Sequence, residues 1–165
     1  MGSVDEDIEA GGAALSRFDY EVAFKHFDKA AKADAKNATA LFGKAEAALG
    51  LPKMEPETIL GFYHKAVDLE PDNAQYLEAY ALFCLDLGRF GDAEKAFNSA
   101  ADADPEEAPM YWAEFAVQYL RRAPAAMEAK GLELDDKTLD MVRRKSLEYA
   151  IRALSLTKED AARLL

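Results

Sequence analysis

The sequence predicts an all-α protein built from a repeated pair of helices, and three observations carry that expectation. Ala30, Ala66 and Ala100 recur at nearly equal intervals, each closing the same short pattern. In that pattern a small or aliphatic residue (Ala23, Ile59, Ala93) is followed four places later by an aromatic (Phe27, Tyr63, Phe97) and three later by the alanine. Pro71 and Pro105 repeat at the interval that separates Ala66 from Ala100, one after each of two such segments, where proline stops a helix. Lastly, Phe90, Ala93, Phe97 and Ala100 fall on one stripe at helical spacing, with acids and lysines elsewhere.

Taken in order, Ser3-Val4-Asp5-Glu6 reads as a capping box opening the first helix. Gly11-Gly12 costs that helix about 1 kcal/mol per glycine relative to alanine, and reads as fraying rather than as close approach of a neighbour. Ala35 stands where later repeats have proline, so the first repeat is expected to end softly. The second repeat carries two extra residues in its turn, where Pro52 and Pro56 disfavour helix. Residues 74–87 are apolar nearly all round, interrupted by Glu78 and Asp86, as suits a helix with neighbours on two sides. Gly88 marks a turn and residues 90–103 form the partner helix. Tyr111 opens a fourth, degenerate pair whose second helix covers residues 146–154, with about 19 residues more between them than the repeat period allows. In that insertion Pro124 is placed at a helix start, Gly131 at a stop and Asp135-Asp136 at the next cap, giving a short extra helix over residues 124–130. Thr157-Lys158-Glu159-Asp160 suggests a weaker box opening a short terminal helix, and Leu164-Leu165 ends on apolar residues that hint at a docked end or a truncation.

The third segment is the most complete. Leu77, Tyr80, Ala81 and Cys84 lie in its first helix, Gly88 in the turn, and Ala93, Phe97, Ala100 and Pro105 in the second helix and its end. Here the chain resembles the tetratricopeptide repeat family, whose unit is helix, turn, helix in about 34 residues. The resemblance implies a right-handed superhelical solenoid forming one domain over residues 1–165. Its repeats would span about 4–37, 38–73 and 74–107, then a degenerate 108–158 with an insertion near 123–136.

Composition narrows the function. The 31 acids against 20 bases leave a net charge of −11, which disfavours nucleic acid and anionic membrane surfaces. The opening residues are acidic, unlike a secretory or transit segment. Glu6 stands where a myristoylation motif after Met1-Gly2 wants Ser or Thr, and Met-Gly-Ser equally fits a cloning remnant. The single cysteine, Cys84, permits no internal disulfide, fits a cytoplasmic setting and is expected to be a small buried hydrophobe. Phosphate-loop, dinucleotide, metalloprotease and nucleophile-elbow motifs are absent from the sequence. His26 and His64 fall on second helices beside the aromatic, as surface or seam residues. The acids of Asp102, Asp104, Glu106 and Glu107 lack the glycine and terminal glutamate of a calcium loop and read as an inter-repeat turn. No enzyme, cofactor or metal is expected.

The resemblance further implies a concave groove lined by first helices, here by Thr39, Phe42 and Glu46, then Gln75, Glu78 and Leu82, then Trp112, Ala116 and Tyr119. One subgroup of the family grips carboxylate tails of chaperones with Lys, Arg and Asn. The corresponding places here hold Ile8, Gly12, Gly43, Gln75 and Ala79, so that clamp is missing, and a carboxylate would meet Glu46 and Glu78. An apolar segment with Lys or Arg flanks suits the mixture better. Alternatively the insertion or the helix over residues 139–156 covers Trp112 and Tyr119. The expected function is a protein-binding module (scaffold, adaptor or chaperone-like), monomeric or weakly self-associating, with no nucleic acid or membrane partner. The alternative is a structural, self-associating subunit or a fragment of a larger assembly.

Overall fold

The computed structural model describes residues 2–155. Eight helices occupy 78 % of them, and no strand forms among them. The expected box at residues 157–160 lies outside the described residues. The chain divides into two compact units, Met1–Pro71 and Asp72–Leu165.

Unit 1 holds α1 (Val4–Ser16), α2 (Tyr20–Ala33), α3 (Ala38–Leu49) and α4 (Pro56–Leu69), each packed on the next. The Ser3–Glu6 capping box is formed, with Ser3 Oγ accepting from Glu6 N–H and Glu6 Oε2 from Ser3 N–H. Ala23, Phe27 and Ala30 of α2 are buried, as are Ile59, Tyr63 and Ala66 of α4. Two expectations are refined. α1 does not fray at Gly11: a Cβ there would come within 2.9 Å of the Phe27 ring, so this glycine marks close approach, whereas Gly12 faces open space. The first repeat does not end softly, because Asp34 N–H bonds Ala30 O and its carboxylate takes Lys36 N–H, supplying the stop that Ala35 lacks. In the α1–α2 turn Phe18 adopts a left-handed φ of 59°, a conformation that disfavours any side chain.

Unit 2 holds α5 (Ala74–Asp86), α6 (Phe90–Ala103), α7 (Ala108–Ala129) and α8 (Asp136–Ala153). Gly88, with φ 69°, makes the α5–α6 turn. Ala93, Phe97 and Ala100 are fully buried, as is Cys84. α3 and α5 start on the same cap chemistry, Asn37 accepting from Ala40 N–H and Asn73 from Tyr76 N–H. α2, α4 and α6 end alike, the N–H groups of Asp34, Glu70 and Asp104 bonding Ala30 O, Ala66 O and Ala100 O.

The insertion folds differently from expectation. No separate helix covers residues 124–130; α7 runs unbroken for 22 residues with Pro124 inside it. Continuing the helix buries Ala123 and Ala126 and carries Arg122 to Asp86 at 2.7 Å, which offsets the proline's missing N–H. Gly131 does end it, at φ 77°, with Leu132 N–H bonding Met127 O. Asp135 caps α8 by accepting from Thr138 N–H at 2.7 Å. α8 then buries Val142, Ser146 and Tyr149, repeating the spacing of Ala93, Phe97 and Ala100.

Candidate functional site

In unit 1 the expected lining residues lie on α3, whose Asn37 cap fixes the register of its outward face. Thr39 is exposed, and Phe42 and Glu46 are half-buried one and two turns further on. Phe42 meets Tyr63 edge-on, ring centres 5.9 Å apart, and the Tyr63 hydroxyl donates to Glu46 Oε1. Burial, and then the Glu46 charge, push the Tyr63 hydroxyl far above its usual range. Glu46 is thereby held in place by a neutral donor.

Glu46 also borders a cleft of about 330 Å³ with Leu15, Phe18, Tyr20, Leu49 and Gly50. Phe18 is 75 % exposed and Leu49 49 %. An aromatic ring held out to solvent on a strained backbone is unfavourable twice over. Sequence reasoning missed this cleft. Phe18 stands two repeat periods before Gly88, and its presence at a turn-glycine place was the available signal.

In unit 2, α5 presents Gln75 exposed and Glu78 and Leu82 half-buried. The residues expected on α7 are placed otherwise. Ala116 and Tyr119 are buried: Ser146 Oγ donates to Ala116 O at 2.7 Å, and Tyr119 stacks on Phe115 and meets Phe90 edge-on. Trp112 is half-buried under the Arg152 guanidinium, 5.6 Å from the ring centre, and its indole Nε1 is buried without a hydrogen-bond partner among the described residues. α8 is thus the element that covers this face. The side of α7 turned to α5 carries Glu114, Gln118 and Arg122 instead, in a ladder. Gln118 donates to Glu114 at 2.7 Å, Arg122 to Gln118 at 2.8 Å and Arg122 to Asp86 at 2.7 Å. Burial, and then the Glu114 charge, raise the Glu78 carboxyl above its usual value. Their regular spacing along α7 was legible, but the repeat template placed a different face outward.

Of the clamp places, none of which holds Lys, Arg or Asn, Gly43 is closed, whereas Gly12 faces open space and Gln75 is exposed. A Cβ on Gly43 would stand 2.3 Å from the Phe27 ring, so no side chain fits there without displacing a core aromatic. His26 and His64 pair with Asp7 and Asp68, at 3.0 and 3.2 Å, as parts of helix surfaces.

No helix among the described residues is long and apolar enough to cross a membrane. No family model matches the chain. Over 97 residues, 58 % of its length, the chain is 38 % identical to the Protein STIP1 homolog of Dictyostelium discoideum. The match spans 16 % of that relative's length, so the likeness is to a segment of a much longer protein.

Proposed function

We propose that this chain is a chaperone-associated protein-interaction module of the tetratricopeptide type, acting as an adaptor in the cytoplasm and holding an apolar partner segment with basic flanks. The likeness to the STIP1 homolog supports the repeat type and the chaperone association. The observation that carries the partner chemistry is Glu46, which borders both the outward face of α3 and the cleft that the strained, exposed Phe18 lines with Leu15 and Leu49. An aliphatic or aromatic anchor in that cleft sets a neighbouring Lys or Arg against Glu46. Thr39 and Phe42 extend the surface on α3, and Gln75, Glu78 and Leu82 offer a second one on α5. Trp112 contributes its exposed edge, while Ala116 and Tyr119 support the fold. A tail carboxylate is a poor ligand, since Gly43 admits no amide side chain and Glu46 and Glu78 repel it.

The test is fluorescence anisotropy with synthetic peptides carrying one apolar anchor and basic, neutral or acidic flanks. Basic flanks should bind tightest. Phe18→Gly should raise unfolding free energy by about 1 kcal/mol, because glycine takes a left-handed φ freely, while weakening peptide binding. Glu46→Lys with Glu78→Lys should abolish the preference for basic flanks. Equal binding of all three peptides would sink the reading.

A further inference from the structure

We propose that the outer face of α7 is a contact between two copies of this chain, packed antiparallel about a two-fold axis beside Ala113 and Val117. This goes beyond the partner reading above and uses a different surface. Met110, Ala113, Val117 and Leu120 recur at spacings of three and four and so share one side of the helix. It lies opposite the buried side that carries Phe115, Tyr119 and Ala126. Met110, Val117 and Leu120 are 51, 50 and 47 % exposed, an apolar stripe about 15 Å long at 1.5 Å per residue. One repeat earlier, the same register runs along α5 through Tyr76, Ala79 and Phe83 to Asp86, and α5 meets α7 there, Arg122 bonding Asp86. On α7 the helix that follows, α8, packs on the side of Phe115 and Ala116 and leaves Met110, Val117 and Leu120 exposed.

Charge selects the occupant. Glu107 and Arg121 lie two heptads apart on one flank of the stripe, about 21 Å along the axis, and both are exposed. Neither makes an ion pair among the described residues. In an antiparallel pair centred between them, Glu107 of one copy meets Arg121 of the other, and symmetry makes the contact twice. A parallel pair would oppose like charges. Ala113, small and near the centre, lets the two backbones approach. Glu114, at the midpoint between them, is turned toward α5 and bonded by Gln118, so it is drawn away from its copy.

Sedimentation equilibrium of the full chain, from micromolar to submillimolar concentration at low salt, tests this. The expected result is a reversible dimer that Val117→Glu makes monomeric with unchanged circular dichroism and melting temperature. Arg121→Glu and Glu107→Arg should each weaken dimerisation roughly tenfold, the lost pair counting twice. Combining the two reversals should restore it. A chain that stays monomeric throughout overturns the proposal, as does a double reversal no better than the singles. A dimer seen only when the chain stops at residue 155 would assign the stripe to residues 156–165 and equally overturn it.

Discussion

Phe27 sits between two glycines, and that arrangement sets how the first three helices meet. A Cβ on Gly11 would come within 2.9 Å of its ring and one on Gly43 within 2.3 Å, while Gly12 has nothing within 4 Å. The ring cannot yield, because it is 4 % exposed among Ala14, Ala23 and Ala47. Gly43→Ala should therefore cost about 1–3 kcal/mol by overpacking. Gly12→Ala should gain about 1 kcal/mol, since a helical alanine costs less backbone entropy. Urea denaturation of the two variants measures both, and equal midpoints would mean that α1 and α3 do not approach α2 this closely. The glycine pair was visible in the sequence, yet which member touched a neighbour was not, because that depends on where a ring from another helix lands. Trp112 shows the same limit. Its helix was legible, but the burial of its indole N–H depends on Arg152 and α8, far along the chain.

The helices themselves were legible because their signals are local. The alanine spacing, the capping asparagines and acids, Gly88 and Gly131 all act within a turn or two of themselves. α7 escaped that reading because Pro124 is a strong local stop signal overruled by packing at Ala123 and Ala126. α8 escaped it for a second reason: its anchoring is polar and long-range. Tyr149 hydroxyl donates to Glu94 at 2.7 Å and accepts from Asn98 at 3.0 Å, while Lys145 Nζ reaches both Glu94 oxygens at 3.0 Å. Burial alone would raise the Glu94 carboxyl, but these hydrogen bonds outweigh it and hold the group below its usual 4.5. Burial and the same hydrogen bond push the Tyr149 hydroxyl up to about 12. Tyr149→Phe should therefore lose about 1–2 kcal/mol near neutral pH. A carboxyl lowered in the fold contributes above its unfolded value and loses that contribution as pH falls through its folded one. A phenol raised in the fold contributes below 10 and loses that as pH climbs toward 12. The gap between wild type and Tyr149→Phe should accordingly narrow below pH 4.5 and again above pH 10. A gap that stays constant across that range would show that the hydroxyl does not couple α8 to α6.

At the scale of the whole molecule, the excess of acids decides how salt acts. A net charge of −11 on 165 residues is self-repulsive, and sodium chloride screens that repulsion over about 8 Å at physiological strength. The ion pairs that oppose it divide into two kinds. Exposed ones such as Arg144–Asp140 and Arg152–Glu148 contribute about 0–1 kcal/mol each and are screened along with the repulsion. The better-shielded ones resist salt. Lys44 meets Asp28 at 2.6 Å with its ammonium 4.4 Å from the Phe62 ring centre, and Asp7 is 2.8 Å from Lys29 within the α1–α2 seam. Burial works against Asp28, yet its bonds to Lys32 and Lys44 still lower its carboxyl, so that charge persists in the fold. Screening therefore removes more repulsion than attraction, and the melting temperature should rise between low and physiological salt. Binding should move the other way, because Glu46 and Glu78 would attract a basic flank through the same solvent. One salt titration read by both circular dichroism and peptide anisotropy separates the two effects. Opposite slopes are expected, and the binding slope alone should flatten in the Glu46→Lys, Glu78→Lys variant. Parallel slopes would mean that the acids near the partner surface serve only to keep the chain dispersed, and would leave apolar contact at Phe18 and Phe42 to supply the affinity.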